Sequence, residues 1–254
     1  MFLGRRVRAV PDRSAVTSIG PRHSFGGNKK PSGDDPSEHI AVDAGIFFAV
    51  GSAQNINGVV RFGDHYRGRA ATSEVVWDEV TRKANSTDVS QRPIMTAARS
   101  SQRYLLAGGR VQRKELDPYA SAALLESVHQ QLVQLDRAQH GTSDIGSMEK
   151  HSGEAELIVL AQTEHIGTLL TNDAGASVVA ASQHPAIRAL NFADVLMELT
   201  CASAGEIDAA TATVTFEHAC TISNITATAK PRDPATFFAC GQSGEPGSVC
   251  SRCA

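Results

Sequence analysis

Four carboxylates stand where a hydrolytic site would need them. Asp43 closes the apolar run Ile40-Ala41-Val42, and Asp173 closes Thr168-Leu169-Leu170-Thr171-Asn172. In an open α/β sheet, ligands bind beyond the carboxyl ends of the strands, so these two acids are placed to converge there. Glu79 lies beside Val76 and Val80, and Glu154 shares a helical face with Ile158 and Ala161. An inward carboxylate is costly unless it is paired or bound to a cation. Four such groups repel one another and, as hard oxygen donors, suit Mg²⁺ or Mn²⁺. A cation so held orients water and stabilises charge on a phosphodiester. Any one of these acids taken alone reads better as a helix cap or a solvated group. It is the four together, at strand ends and on apolar helix faces, that point to chemistry.

Two of the glutamates have competitors. Glu74 precedes Glu79 at the start of its helix, where a carboxylate is already useful against the helix dipole. Glu79 is therefore expected in the pocket and Glu74 as a capping acid. Glu154 and Glu156 are two residues apart, roughly 200° around a helix axis, so they cannot both face one pocket. Glu154 is expected inside and Glu156 as a solvated partner for some cation.

The elements that must position these groups alternate in type. Ile40–Val42 reads as a buried strand, and Ile46–Val50 as a helix or turn packing back. Thr72-Ser73 caps a helix over 74–83 that ends in Arg82 and Lys83. Asp117-Pro118 opens a helix with one apolar stripe, Leu124, Leu125, Val128, Leu132 and Leu135. Ser152 is expected to cap a helix running to Ala161. A strand over 168–171, a helix over 176–182, a strand over 187–190 and a helix over 192–200 follow. Such alternation predicts an α/β fold, a short parallel sheet flanked by helices. The polar stretch 85–113 carries no clear period.

Composition bounds the rest. The chain has 254 residues, 41% hydrophobic, with a net charge of −3. That excludes a wholly disordered chain, and no run of about 18 apolar residues suggests a membrane span. Residues 1–30 carry seven basic side chains against Asp12 alone, so a basic arm precedes an acidic body. The expected organisation is a disordered arm over 1–38, a folded domain over 39–225 and a disordered tail over 226–254. With no apolar segment after Met1 and an odd five cysteines, a reducing cytoplasmic setting is expected. The Cys250-Ser251-Arg252-Cys253 pair lacks the regular partner spacing of a zinc site. No GxGxxG, GxxxxGK[ST] or GxSxG loop is present, which argues against the nucleotide-binding folds and serine hydrolases built on those loops.

The motifs, in order, resemble those of PIN domains. Val42-Asp43-Ala44-Gly45 resembles their first strand. Ser73 to Val80, with Glu79, resembles their second acidic motif. Gly153-Glu154-Ala155-Glu156 through Ala161 is similar to their third helix, and Leu169-Leu170-Thr171-Asn172-Asp173 to their last acidic strand. The resemblance spans roughly residues 39–200. It implies a three-layer fold and a Mg²⁺- or Mn²⁺-dependent ribonuclease that hydrolyses phosphodiester bonds of single-stranded RNA. Asp43 and Asp173 would be direct metal ligands, Glu79 and Glu154 would complete the catalytic cluster, and Thr171 and Asn172 would position water or phosphate. RNA would be the partner. Many such domains are toxins, so a cognate antitoxin protein and a second copy of the chain are further candidates. The alternative is a catalytically inert PIN-like module that binds RNA or protein through the same pocket. A haloacid-dehalogenase-like phosphohydrolase would need a second acid where Gly45 stands, and ranks last.

Overall fold

Strands buried on both faces commonly read as continuous apolar runs, as β1 (Ile40–Val42) and most of β4 (Thr168–Leu170) do here. They pair in parallel, with Ala41 opposite Leu169 and Val42 opposite Leu170. The computed structural model describes residues 38–140, 151–203, 205–223, 225 and 230–239. The expected arm up to residue 37, and residues 240–254 with Cys250 and Cys253, lie outside the described residues.

β2 (Ala70–Ser73), β3 (Gln112–Lys114) and β5 (Arg188–Leu190) complete a five-stranded, all-parallel sheet in the order β3-β2-β1-β4-β5. Alternation along the strands splits the core in two. Ile40, Val42 and Leu170 face one cluster with Phe47, Phe62, Phe192 and Phe216. Ala41 and Leu169 face the other, with Val128, Leu132, Leu157 and Leu160.

The first cluster is built by α1 (Ala44–Ser52), α2 (Gly58–His65), α3 (Glu74–Ala84), α4 (Arg92–Ser101), α8 (Phe192–Ala202) and α9 (Ala209–Ile222). The second is built by α5 (Pro118–His140), α6 (Ser152–Thr163) and α7 (Ala174–Gln183). The protein is thus a three-layer α/β/α fold.

Parallel strands joined by right-handed crossovers must take their helices to opposite faces when the chain moves in opposite directions across a sheet. From β1 the chain steps outward to β2 and β3, and from β4 it steps the other way to β5. The order reverses between β1 and β4, and in open α/β sheets that switch point, at the carboxyl ends of the strands, is where ligands bind.

Helix α1, capped by Asp43, is held tightly. A Cβ on Gly51 would lie 2.1 Å from the Ala97 carbonyl oxygen, so only glycine lets α1 cross α4 this closely. The Ser101 hydroxyl donates to the Phe47 carbonyl across the same contact at 2.6 Å.

Several elements differ from the sequence reading. The helix expected to be capped by Ser152 begins at that residue, and His151 stands at the cap with φ 69° and no capping side-chain bond. Ala70–Ser73 is a strand, although only its last two residues were legible, as a cap. The stretch 85–113 supplies α4, a π-helical turn over Gln102–Leu106 and the start of β3. Within the expected tail, α10 (Pro234–Ala239) packs on α9, and Phe238 is fully buried with its ring 5.9 Å from that of Phe216. Among the described residues no helix is long and apolar enough to cross a membrane.

Candidate active site

Asp43 is fixed by the end of β1. Its N–H continues the parallel ladder by donating to the Leu170 carbonyl at 3.0 Å. Its backbone is extended, and its Oδ1 accepts from the Ala44 N–H at 2.7 Å, capping α1. The other carboxylate oxygen, Oδ2, accepts from the Thr171 hydroxyl at 3.0 Å. Asp43 is 8% exposed.

The end of β4 supplies the facing wall. Thr171 donates its N–H to the Leu190 carbonyl, and its Oγ1 accepts from the Asp173 N–H at 3.1 Å while donating to Asp43. One hydroxyl thereby links the two strand-end aspartates. Asn172 is buried and its amide is engaged by backbone: Nδ2 donates to the Gly45 carbonyl at 3.1 Å, and Oδ1 accepts from the Phe192 N–H at 2.9 Å. It braces α1, β4 and α8 against one another. Asp173 is half-buried and caps α7, its Oδ1 accepting from the Ala176 N–H at 2.8 Å.

The two helical glutamates approach from α3 and α6. Val76 and Val80 are fully buried, so Glu79 between them is turned partly inward. A Cβ on Gly153 would sit 3.4 Å from Val76 Cγ2 and 3.9 Å from Glu79 Oε2, which brings the start of α6, and Glu154 with it, against α3. Electrostatics registers the convergence. Burial first, and then the charges of Glu154 and Glu79, push the Asp43 carboxyl up from 3.8 to about 8, against the pull of the Thr171 and Ala44 hydrogen bonds. Burial and Glu154 likewise raise Glu79, which Arg82 and Lys83 partly offset.

The structure therefore gathers Asp43, Glu79 and Glu154 into one electrostatic unit, with Thr171 bonded directly to it. The Asp173 backbone N–H bonds to Thr171, while the Asp173 carboxylate, expected to converge with Asp43, is turned to the N-terminus of α7. Glu74 is not in the pocket: it lies in the first turn of α3 and pairs with Arg113 on β3. Glu156 departs from the expected solvated role. Its Oε2 accepts from the Val75 N–H at 2.9 Å, lashing α6 to the N-terminus of α3. His151 was not singled out in the sequence, although the spacing His151-x-x-Glu154 marks it. Both of its ring nitrogens are buried without a hydrogen-bond partner, and Nε2 lies 3.8 Å from Asp136 Oδ2.

Among the described residues, no three His, Cys, Asp or Glu side chains converge closely enough to hold one ion. The donor chemistry nonetheless suits Mg²⁺, which keeps several waters and is commonly held by one or two carboxylates. The uncompensated repulsion around Asp43 is what such a cation would relieve. No protein-family model, curated protein or solved structure matches the chain.

Proposed function

We propose that the chain is a metal-dependent ribonuclease of the PIN type, hydrolysing phosphodiester bonds of single-stranded RNA with Mg²⁺ or Mn²⁺. The observation that carries this reading is Asp43, a buried strand-end carboxylate raised to about 8 by burial and by two neighbouring glutamates. A group perturbed this far by burial and like charge, at the switch point of a parallel sheet, marks a functional site better than a structural one. Asp43 with Glu79 or Glu154 would hold the cation, and Asp173 would reach it from the far side of Thr171. The cation, when bound, lowers the pKa of water and neutralises charge on the phosphodiester. Thr171 keeps the Asp43 carboxylate oriented by its hydroxyl. Glu79, raised by burial and by Glu154, is suited to take the proton of the attacking water.

The test is cleavage of a single-stranded RNA by the purified chain with Mn²⁺, beside the same chain in EDTA and the Asp43→Asn variant. Cleavage by the wild type alone is expected, and an active Asp43→Asn chain would sink the assignment. Two observations favour the alternative of an inert binding module: Asp173 already serves as a helix cap, and no three ligands meet at a point among the described residues. That module would bind RNA equally well in EDTA and never cut it.

A further inference from the structure

Among the described residues β3 is the edge of the sheet, hydrogen-bonded to β2 alone. The segment that enters and forms it, Arg110-Val111-Gln112-Arg113-Lys114, carries three cations and no acid. Two of those cations lie on aromatic rings. The Arg110 guanidinium sits 4.6 Å from the centre of the Tyr104 ring, and that of Arg113 sits 5.9 Å from the centre of the Trp77 ring. Both rings are half-buried and packed against the core, each with a guanidinium over it.

We infer that this edge, with Arg113 over Trp77 and Arg110 over Tyr104, is a track for single-stranded nucleic acid leading to the acidic pocket. The inference rests on the ribonuclease reading for its destination. Position supports it. Lys114 is level with Ser73 on β2, and continuing the β1–β2 register puts Ser73 level with Asp43. At about 4.8 Å per strand, the Arg113 backbone is roughly 10 Å from that of Asp43. Arg110 lies before the strand, in the bend whose Arg110 and Val111 N–H groups both donate to the Leu105 carbonyl.

The chemistry fits a flexible strand with exposed bases. Aromatic faces stack bases without regard to sequence, and guanidinium groups bind phosphate in bidentate fashion. The cations have acidic neighbours: Glu74 for Arg113, Glu164 at 3.3 Å for Lys114 and Asp64 at 4.0 Å for Arg110. All three acids are substantially exposed, and exposed pairs contribute little, so phosphates can displace Glu74 and Glu164; at Arg110 the Nε is buried, which leaves its terminal nitrogens for phosphate. Addition of a protein strand is the competing use of an open edge. A three-residue strand of glutamine, arginine and lysine is too short and too charged to favour it.

Trp77 is the only tryptophan in the chain, so its emission reports this surface alone. The probe is a short fluorescein-labelled oligouridylate titrated into the full chain in EDTA, with anisotropy reading binding and tryptophan emission reading contact. Emission should be quenched in step with the anisotropy. Arg113→Gln and Arg110→Gln should each weaken binding roughly tenfold and lower the slope of log affinity against log salt by about 0.7. Trp77→Phe should keep affinity within about threefold, because a stacking ring remains. Binding without quenching, with unchanged affinity in both arginine variants, would overturn the track and leave the edge to protein strands. No binding by the wild type would overturn it as well. Cleavage with Mn²⁺ is scored separately. Quenching without cleavage would defeat the ribonuclease reading and keep the track, and cleavage indifferent to both arginines would do the reverse.

Discussion

Two carboxylates withdrawn from water sit near opposite ends of the sheet, and their environments push them in opposite directions. Asp43, at the carboxyl end of β1, is raised to about 8 by burial and two like charges. Glu198 lies on α8 beside the residues that precede β2. Burial also raises it, but hydrogen bonds from His65 and Tyr66 outweigh that and leave it below its ordinary value. The Tyr66 hydroxyl donates to Glu198 Oε2 at 2.5 Å, and His65 Nε2 lies 3.5 Å from the same oxygen. One cluster is satisfied within the chain. In the other, the like charges of Glu79 and Glu154 hold Asp43 toward its protonated form, a repulsion that an external cation would relieve. A buried acid therefore indicates function through the partners it lacks.

The largest effects should fall on the unsatisfied cluster. Glu154→Gln and Glu79→Gln are each expected to lower RNA cleavage by roughly 10²–10⁴-fold. Glu74→Gln and Glu156→Gln should stay near wild type, since glutamine can still accept from the Val75 N–H. The reverse pattern in a cleavage assay would show that the pocket has been drawn on the wrong helix faces.

Stability should separate the two clusters by pH. The folded chain favours neutral Asp43, so this group's contribution is fully present below pH 3.8 and is lost as pH rises toward about 8. Asp43→Asn keeps the neutral form at every pH. Its melting temperature in EDTA should gain on the wild type steadily from pH 4 to pH 8, each kcal/mol being worth roughly 2–4 °C in a chain of this size. A constant gap across that range would contradict the assigned repulsion.

Glu198 has the opposite sign. Its lowered value contributes stability that is present above 4.5 and is lost as pH falls through the folded value. Tyr66→Phe should cost about 1.5 kcal/mol at neutral pH, shrink toward zero in acid and leave cleavage unchanged. Thermal melts across pH 3–7 check the first two points.

The smallest effect is expected at Thr171→Val. Removing the hydroxyl raises Asp43 further and strands the Asp173 N–H, at a cost of about 1 kcal/mol. Cleavage should fall while its alkaline dependence moves to higher pH, a shift that simple loss of stability would not produce.

What the sequence disclosed follows the same contrast. β1 and β4 were legible because burial on both faces favours an apolar run, and each ends in a polar residue at the switch point. Ala70-Ala71-Thr72 was not, because small residues fit a strand squeezed between neighbours without announcing it. Gln112-Arg113-Lys114 was hidden for the opposite reason: an edge strand needs no apolar face at all. The pocket acids on α3 and α6 could be chosen from helical phase. Phase places Glu156 away from Glu154, but only the packing of α6 on α3 reveals the Val75 amide as its partner. Asn172 looked like a group for water or phosphate, yet its amide is committed to two backbone groups that lie far away in sequence.

The bond from Thr171 to Asp43 spans 128 positions of chain. Contacts between residues so distant form late, because the entropy of closing the intervening loop must be met before they return anything. Helices α1 and α3 can condense on local contacts, while the acidic site waits for β4 to find β1. Refolding should therefore restore far-ultraviolet ellipticity ahead of any RNA cleavage, with activity returning only in the slowest phase. A nascent chain would not complete the acidic site until the segment beyond β4 had emerged, a delay set by the order of its strands.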